Sequence, residues 1–536
     1  VLAKKHYVMA VDDGTTGIRA MIFDHDASVV SQSYELISPI VPRAGWLEQD
    51  GLEVWEKCVV VMKKALKEAK LSASDIACVG ISCQRTTSLL WDKSSGKPLC
   101  NAITWQDTRS AELCQKAYDA SKMKTIRSLG KMTKGLSKVV PSIRKSASGA
   151  RLVTAANLSF PTASSLGHNQ WMLENTKGVS EVLAAGNLLC GTIDSWLIWK
   201  MTKGSVFATD FSNASSTGMF DTFQLKWSDL FLDLFKIPLE ILPEIKQTSD
   251  DFGVMHKEVL GSDIPIGSAV ADQQSSLFAQ GCFEPGMVKC TNGTGTFIDM
   301  NVGEKPPASM YRLLPLIAWK LNGKVTYMLE GMVNTTGSAV EWMQKNVGLI
   351  KDPAESEKLS FGVSDTGGVY FVPAFTGLSS PYWDPHASGI VVGLSRKTTR
   401  EHLVRSALEG IAYRCKDVLH AMELDTGLSI KGLKADGGAS KNNFLLQFMA
   451  DMLDAKVDRP VMLEGTALGA AYLAGLSQGF WDSKEEILKT HKIEKSFSPA
   501  MSDQKRDQLY NGWKKAIKRS FLWREDVLEL VEEMAQ

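Results

Sequence analysis

The chain has 536 residues, 60 basic and 60 acidic side chains and a formal net charge of zero, with 44% hydrophobic and 22% charged residues. Those proportions belong to folded globular proteins and exclude a disordered, collagenous or coiled-coil chain. The charge balance removes any global case for nucleic-acid binding, and no stretch nears the ~18 consecutive apolar residues of a membrane span.

Along the chain, an apolar run at Tyr7–Val11, the turn DDGTTG and a second run at Ile18–Phe23 predict a strand, a polar hairpin turn and a strand. An amphipathic stretch from Leu52 to Ala69 predicts a helix, and IACVGIS (76–82) and TSLLWD (87–92) predict further strands. Such alternation points to α/β layers. From Ser121 to Arg151 there are nine Lys or Arg residues and no Asp or Glu, among many Ser and Gly. This segment reads as a mobile surface loop or insertion, either simply solvated or docking an anionic partner or a membrane surface. Val288 to Val302 repeats the first pattern as apolar run, NGTGT turn and apolar run, which suggests two duplicated halves. The Pro/Gly-containing IPIGSAV places the boundary near 264–270, giving an N-terminal domain 1–266 and a C-terminal domain 267–536. Spacing of Leu509, Trp513, Ile517 and Phe521 predicts a packing helix over Asp503–Glu533.

The nine cysteines are scattered without a C-x-x-C pair, as expected of buried thiols in a reducing compartment. The N-terminal residues contain no apolar signal core, so a cytoplasmic location is expected, with a removed presequence left open.

The common catalytic motifs fail. No P-loop, G-x-G-x-x-G or H-E-x-x-H pattern occurs, and GLSQG at 475–479 follows a helix-like run where a nucleophile elbow needs a strand. The two Gly/Thr turns offer another way to hold phosphate. In the first, Gly14 and Gly17 allow a tight turn whose N–H groups face an anion, Thr15 and Thr16 add hydroxyls, and Arg19 adds charge. Asp12, at the strand end, suits Mg²⁺ held through water. Gly293, Thr294 and Gly295 repeat the logic, and a third turn lies in LKADGGASKNN. One such turn alone is more often an ordinary β-turn; together they favour a split nucleotide site.

Several long passages carry a resemblance: GWLEQDGLEVW, TWQDTRSAE, GTIDSWLIWKMTKGSVFATDFSNAS, ADQQSSLF, NGTGTF, FVPAFTGLSSPYWDP and ADGGASKNNFLLQF. By these the chain resembles the FGGY carbohydrate kinases, and within them the glycerol kinases, over nearly its whole length. QRTT, WQDTR and the basic insertion are most similar to the divergent glycerol kinase 5 branch. The resemblance implies an α/β fold of two actin-like ATPase (ribonuclease H-like) domains flanking a nucleotide cleft, with ATP and Mg²⁺ bound and a small polyol phosphorylated. It implies Asp272 as general base and, with Asp12, as a carboxylate offered to the metal. Arg85, Thr86, Trp105, Gln273 and Phe297 would line the acceptor pocket, while Gly337, Gly438 and Asn442 would contact nucleotide. A homodimer and an anionic partner for segment 121–151 are left open.

The departures bear on the acceptor. Glycerol kinases usually read Gln-Arg-Glu where this chain has Gln84-Arg85-Thr86, and the lost polar contact is worth on the order of 1–3 kcal/mol. A family tyrosine falls near Ala163 and a lysine at His168. The family's DQGTT is DDGTT here, so Asp13 is expected to add negative charge beside the phosphate grip. Three readings stand: a glycerol kinase, a kinase for another polyol or sugar, and a nucleotide-binding pseudokinase acting through protein contacts.

Overall fold

The computed structural model describes residues 6–462 and 464–524. The first half is built on strands β1 (Tyr7–Asp13), β2 (Gly17–Phe23) and β3 (Val29–Leu36), followed by helix α1 (Gly51–Ala69) and strand β4 (Ile76–Cys83). The Asp50 side chain starts α1 by accepting from the Leu52 N–H at 2.8 Å, and Lys70 in a left-handed conformation ends it. Val54, Cys58, Val61, Met62 and Ala65 recur at helical spacing and are buried against the sheet. Next come helices α2 (Ser121–Val139) and α3 (Ala147–Ala155), strand β5 (Ile264–Ala271) and helix α4 (Asp272–Ala279).

The second half contains strands β6 (Met287–Asn292), β7 (Thr296–Gly303), β8 (Leu314–Leu321) and β9 (Lys324–Val333), then helix α5 (Gly337–Lys345). Helix α6 (Arg400–Thr426), strand β10 (Gly432–Asp436), helix α7 (Asn443–Leu453) and strand β11 (Val457–Pro460) follow. Helix α8 (Gly465–Ser477), strand β12 (Ile493–Phe497) and helix α9 (Asp503–Ile517) complete the described elements used below.

The two sheets share one plan. In the first, β3, β2 and β1 are antiparallel neighbours, and β4 and β5 continue parallel to β1. In the second, β9, β7 and β6 are antiparallel and β10 and β11 continue parallel to β6. The repeated Gly/Thr turns occupy equivalent places, at the β1–β2 and β6–β7 connections, so the duplication read from two short motifs extends through both sheets.

Three expectations need correction. A cut between 266 and 267 falls inside β5, which pairs with β4 in the first sheet; the first unit runs on through α4, and the second sheet starts at β6. IPIGSAV is a buried strand, because its apolar residues fill both faces. Segment 121–151 is helical: α2, a 3₁₀ turn at Pro141–Lys145, and α3. Its Ser and Gly residues include Gly130 and Ser137, which are buried where α2 packs inward. Helix α9 ends at Ile517, earlier than expected, and residues 525–533 of the predicted helix lie outside the described residues.

The units are joined by a buried layer in which α8 lies against β4, β5, β1 and α4. Ala467, Ala470 and Ala471 of α8 meet Val8, Ala10, Cys78 and Val270 there. The approach is close enough that a Cβ on Gly80 would stand 2.2 Å from the Ala470 carbonyl oxygen, and one on Gly469 would stand 2.0 Å from that of Ser275. None of the nine cysteines forms a disulfide among the described residues, and eight are buried. Among the described residues no helix is long and apolar enough to cross a membrane.

Candidate active site

The first hairpin turn is closed by the Gly14 N–H donating to the Gly17 carbonyl at 2.9 Å. Neither glycine has a positive φ. Gly17 is required for space, since a Cβ would sit 2.4 Å from both the Glu35 carbonyl and the Tyr34 hydroxyl of β3. The Trp105 indole donates to the Thr15 hydroxyl at 2.9 Å and the Gln49 amide to the Thr15 carbonyl at 2.8 Å, while Thr16 stays exposed. Arg19 stands opposite Asp12 across the β1–β2 ladder, but its guanidinium is engaged by Glu464 just before α8.

The second hairpin is stitched to the start of α5. The Thr336 N–H donates to the Thr294 carbonyl at 3.0 Å and the Gly337 N–H to the Gly293 carbonyl at 2.9 Å. A Cβ on Gly337 would stand 2.6 Å from that Gly293 oxygen, so this glycine serves the packing of the turn, and its N–H is already spent. Asn292 donates to the Ser440 hydroxyl at 3.0 Å, bringing the turn after β10 alongside. Within that turn no atom lies within 4 Å of where a Cβ on Gly438 would stand. Asn442 caps α7, accepting from the Leu445 N–H at 3.0 Å and donating to the Ser356 hydroxyl at 3.1 Å.

Between the sheets lies a cavity of about 270 Å³, lined by Thr15 and by all six expected acceptor residues: Arg85, Thr86, Trp105, Asp272, Gln273 and Phe297. Asp272 opens α4, so its carboxylate projects from the end of β5; Oδ1 accepts from the Gln273 N–H at 2.7 Å and lies 3.2 Å from Arg85 Nε. Arg85 also reaches Glu330 of β9, Nη1 to Oε2 at 2.7 Å. Burial works against the Arg85 charge, but the Glu330 and Asp272 carboxylates outweigh it and hold the guanidinium charged. Lys289, paired with Asp299 at 2.9 Å in a fully buried couple, also donates to the Gln273 amide oxygen and fixes that side chain.

The charges at the cleft edge set the chemistry available. Burial lifts Asp12 to about 6, against the donated Thr466 hydroxyl at 2.7 Å and the nearby Arg19, while the Asp272 carboxylate lifts it further. With Asp272 beside it disfavouring its charge, Asp12 forms part of a hard oxygen donor set that a divalent cation would relieve. Among the described residues no group of three or more His, Cys, Asp or Glu could hold a metal ion, so at most this pair is offered. The set therefore fits Mg²⁺, which takes one or two protein carboxylates and fills its remaining positions with water and phosphate oxygens.

One expectation about charge changes. Asp13 does not face the phosphate turn: it is fully buried on the opposite side of β1, where the Gln84 amide donates to Oδ2 at 3.0 Å and Oδ1 has no partner. Burial raises it to about 7, with Gln84 opposing and Asp12 adding to the rise. His168 is also buried, 3.2 Å from the Asp107 carbonyl oxygen and lowered to about 4 by desolvation, away from the cavity. Ala163, in contrast, does line the cavity. Sequence reasoning missed Glu330 and the apolar wall of Leu314, Leu316 and Met332. A lone acid inside the apolar run YMLEGMV was the available signal for Glu330.

Comparison with known proteins agrees with this geometry. The N-terminal domain model of the FGGY family of carbohydrate kinases matches residues 7–135 and 135–279, and its C-terminal domain model matches 288–477. A glycerol kinase of Caldanaerobacter subterraneus is 45% identical over 520 residues, covering 97% of this chain and 99% of the relative. Glycerol kinase 2 of Thermotoga maritima is 45% identical over 517 residues, covering 96% and 99%. The crystal structure of Plasmodium falciparum glycerol kinase with ADP superposes with a TM-score of 0.86 at 32% identity, covering 96% of this chain and 98% of that one. With both domain models matched in order and relatives aligned from end to end, the chain belongs to the FGGY family of carbohydrate kinases.

Proposed function

We propose that this protein transfers the γ-phosphoryl group of ATP to a terminal hydroxyl of glycerol, giving glycerol 3-phosphate. The observation that carries the reading is the cavity in which Asp272, Arg85 and Gln273 converge beneath Trp105 and Phe297, beside the first Gly/Thr turn. Asp272 accepts the hydroxyl proton as the new P–O bond forms, since an alcohol is a weak nucleophile until a carboxylate within hydrogen-bond reach takes that proton. Arg85 holds the carboxylate in place, with Nε 3.2 Å from Oδ1. Gln273, fixed by Lys289, offers a polar contact to the acceptor, and the rings of Trp105 and Phe297 cover its carbon face. The turns at Gly14–Thr16, Gly293–Thr294 and Gly438–Asn442 hold the nucleotide, with alignment supplying most of the rate. Mg²⁺ held by Asp12 and Asp272 would neutralise charge on the phosphate oxygens. Nine cysteines with no disulfide among the described residues support a reducing, cytoplasmic setting.

A second reading concerns the acceptor alone. Thr86 leaves its buried hydroxyl without a partner, and Ala163, Leu316 and Met332 make one wall apolar. A bulkier, less polar polyol is the acceptor these features favour. ATP turnover with Mg²⁺, scanned over glycerol, dihydroxyacetone, erythritol and ribitol, decides between them. Turnover that requires glycerol supports the first reading, and turnover restricted to a larger polyol supports the second. Clear ATP binding with no turnover across the panel would instead leave a pseudokinase.

A further inference from the structure

Helix α2 buries one face and leaves a second apolar face outside. Met123, Gly130 and Ser137 are buried, and Lys134 crosses to the Met310 carbonyl at 2.6 Å, tying the helix to the second half of the chain. On the other side Leu129, Met132, Leu136 and Val139 are 50%, 66%, 59% and 82% exposed. Their spacing of three, four and three places them in one stripe along the helix. Lys124, Lys131 and Lys138, seven residues apart, run as a parallel line beside it. Lys131, Lys138 and Lys145 have no carboxylate partner among the described residues, and the segment itself contains none. The two stretches matched by the N-terminal family model meet at residue 135, inside this helix.

We propose that the outer face of α2 docks on the surface of an anionic lipid bilayer. An apolar ridge bordered by lysines is the arrangement that seats a helix at a headgroup boundary, with the side chains of the ridge in the acyl region and the ammonium groups reaching back to lipid phosphates and carboxylates. A second copy of the chain is the poorer occupant, because a two-fold contact would set Lys131 and Lys138 against their own copies, while the nearby Asp119 and Asp233 already face Lys124 and Lys122. An acidic protein is poorer too: the feature is a convex ridge, whereas an amphipathic helix is ordinarily received by a groove, which a bilayer does not need to preform. Since the inner face of α2 already carries the packing, docking requires no unfolding of the helix. The inference does not depend on which polyol is phosphorylated.

Flotation of the full chain with vesicles tests it, using phosphatidylcholine alone and phosphatidylcholine mixed with phosphatidylserine. Binding is expected only with phosphatidylserine present, and is expected to fall as salt is raised. Each of Lys131→Gln and Lys138→Gln lowers the partition coefficient roughly fivefold. Leu136→Ser with Met132→Ser lowers it at least tenfold. All four substitutions leave ATP turnover in vesicle-free buffer unchanged. Absence of flotation at low salt, or equal flotation of the variants, overturns the proposal. So does light scattering that shows a dimer lost in these same variants, or binding to a polyglutamate peptide without binding to vesicles.

Discussion

Arg85 stands between Asp272 and Glu330, with Nε 3.2 Å from one carboxylate and Nη1 2.7 Å from the other. The two acids are unequal: the Glu330 side chain is 4% exposed and that of Asp272 29%. Removing the cation and removing the base should therefore have different signatures. Asp272→Asn lowers kcat about 10²–10⁴-fold with nucleotide affinity largely kept, and Glu330 still balances Arg85, so the melting temperature hardly moves. Arg85→Gln strands a buried carboxylate and costs about 3–5 kcal/mol of stability, as well as acceptor affinity. Steady-state kinetics, ADP titration and thermal melts on the two variants separate these roles. Equal loss of ADP binding in Asp272→Asn would show that Asp272 supports the nucleotide and is not the base.

Thr86 adopts φ of +65°, an uncommon backbone state for a β-branched residue, and its hydroxyl is buried without a partner. Thr86→Gly relieves that conformation and raises stability by about 1 kcal/mol, read as an increase in Tm. Thr86→Glu supplies a hydrogen-bond acceptor to the cavity and tightens glycerol by about 1–3 kcal/mol, read as a 5- to 150-fold lower KM at similar kcat. An unchanged KM in Thr86→Glu would mean that glycerol does not sit against residue 86.

Much of the site was legible because its chemistry sits at strand ends, where short motifs keep fixed geometry: Arg85, Trp105, Asp272, Gln273 and Phe297 all line one cavity. Glu330 escaped because one acid in a strand declares nothing until its partner, 245 positions earlier, is placed beside it. Asp13 was misread although the signal was present, since consecutive strand residues point to opposite faces and Asp12 and Asp13 cannot both face the phosphate turn. Composition alone suggests a loop over 121–151, while the seven-residue recurrence of its lysines marks a helix. The boundary at 266 failed for a related reason, as Pro265 and Gly267 sit in a strand that is buried along most of its length.

Asp13 gives a pH-dependent prediction. Its folded value near 7 lies above the ordinary aspartate value of 3.8, so the native state binds more protons between those limits. Stability from this group is complete below about 4 and is lost as pH rises to about 7, after which the loss is constant. Asp13→Asn keeps an acceptor for the Gln84 amide and removes the charge. The variant should match wild type near pH 4, pull ahead as pH rises through 5 and 6, and exceed it by a few kcal/mol at pH 8, measured by urea unfolding across that range. Parallel pH profiles for the two proteins would mean that water or a shifted partner already satisfies the buried carboxylate.

The seat of α8 on the first sheet gives the last prediction. A Cβ at Gly80 would lie 2.2 Å from the Ala470 carbonyl oxygen and 2.8 Å from the Ser268 hydroxyl, and the first of these is backbone that cannot rotate away. Gly80→Ala must therefore push α8 off β4, at about 1–3 kcal/mol or more. The same helix carries Thr466, whose hydroxyl donates to Asp12 at 2.7 Å, so the displacement also loosens a carboxylate at the cleft. Stability and kcat should fall together. Gly135→Ala is the contrasting case: it lies in α2 with open space around it, and the added methyl should raise stability by up to ~1 kcal/mol through helix propensity with kcat unchanged. Thermal melts and turnover on both variants decide the point, because only a close-packed contact between α8 and β4 makes one methyl group destabilising at residue 80 and stabilising at residue 135.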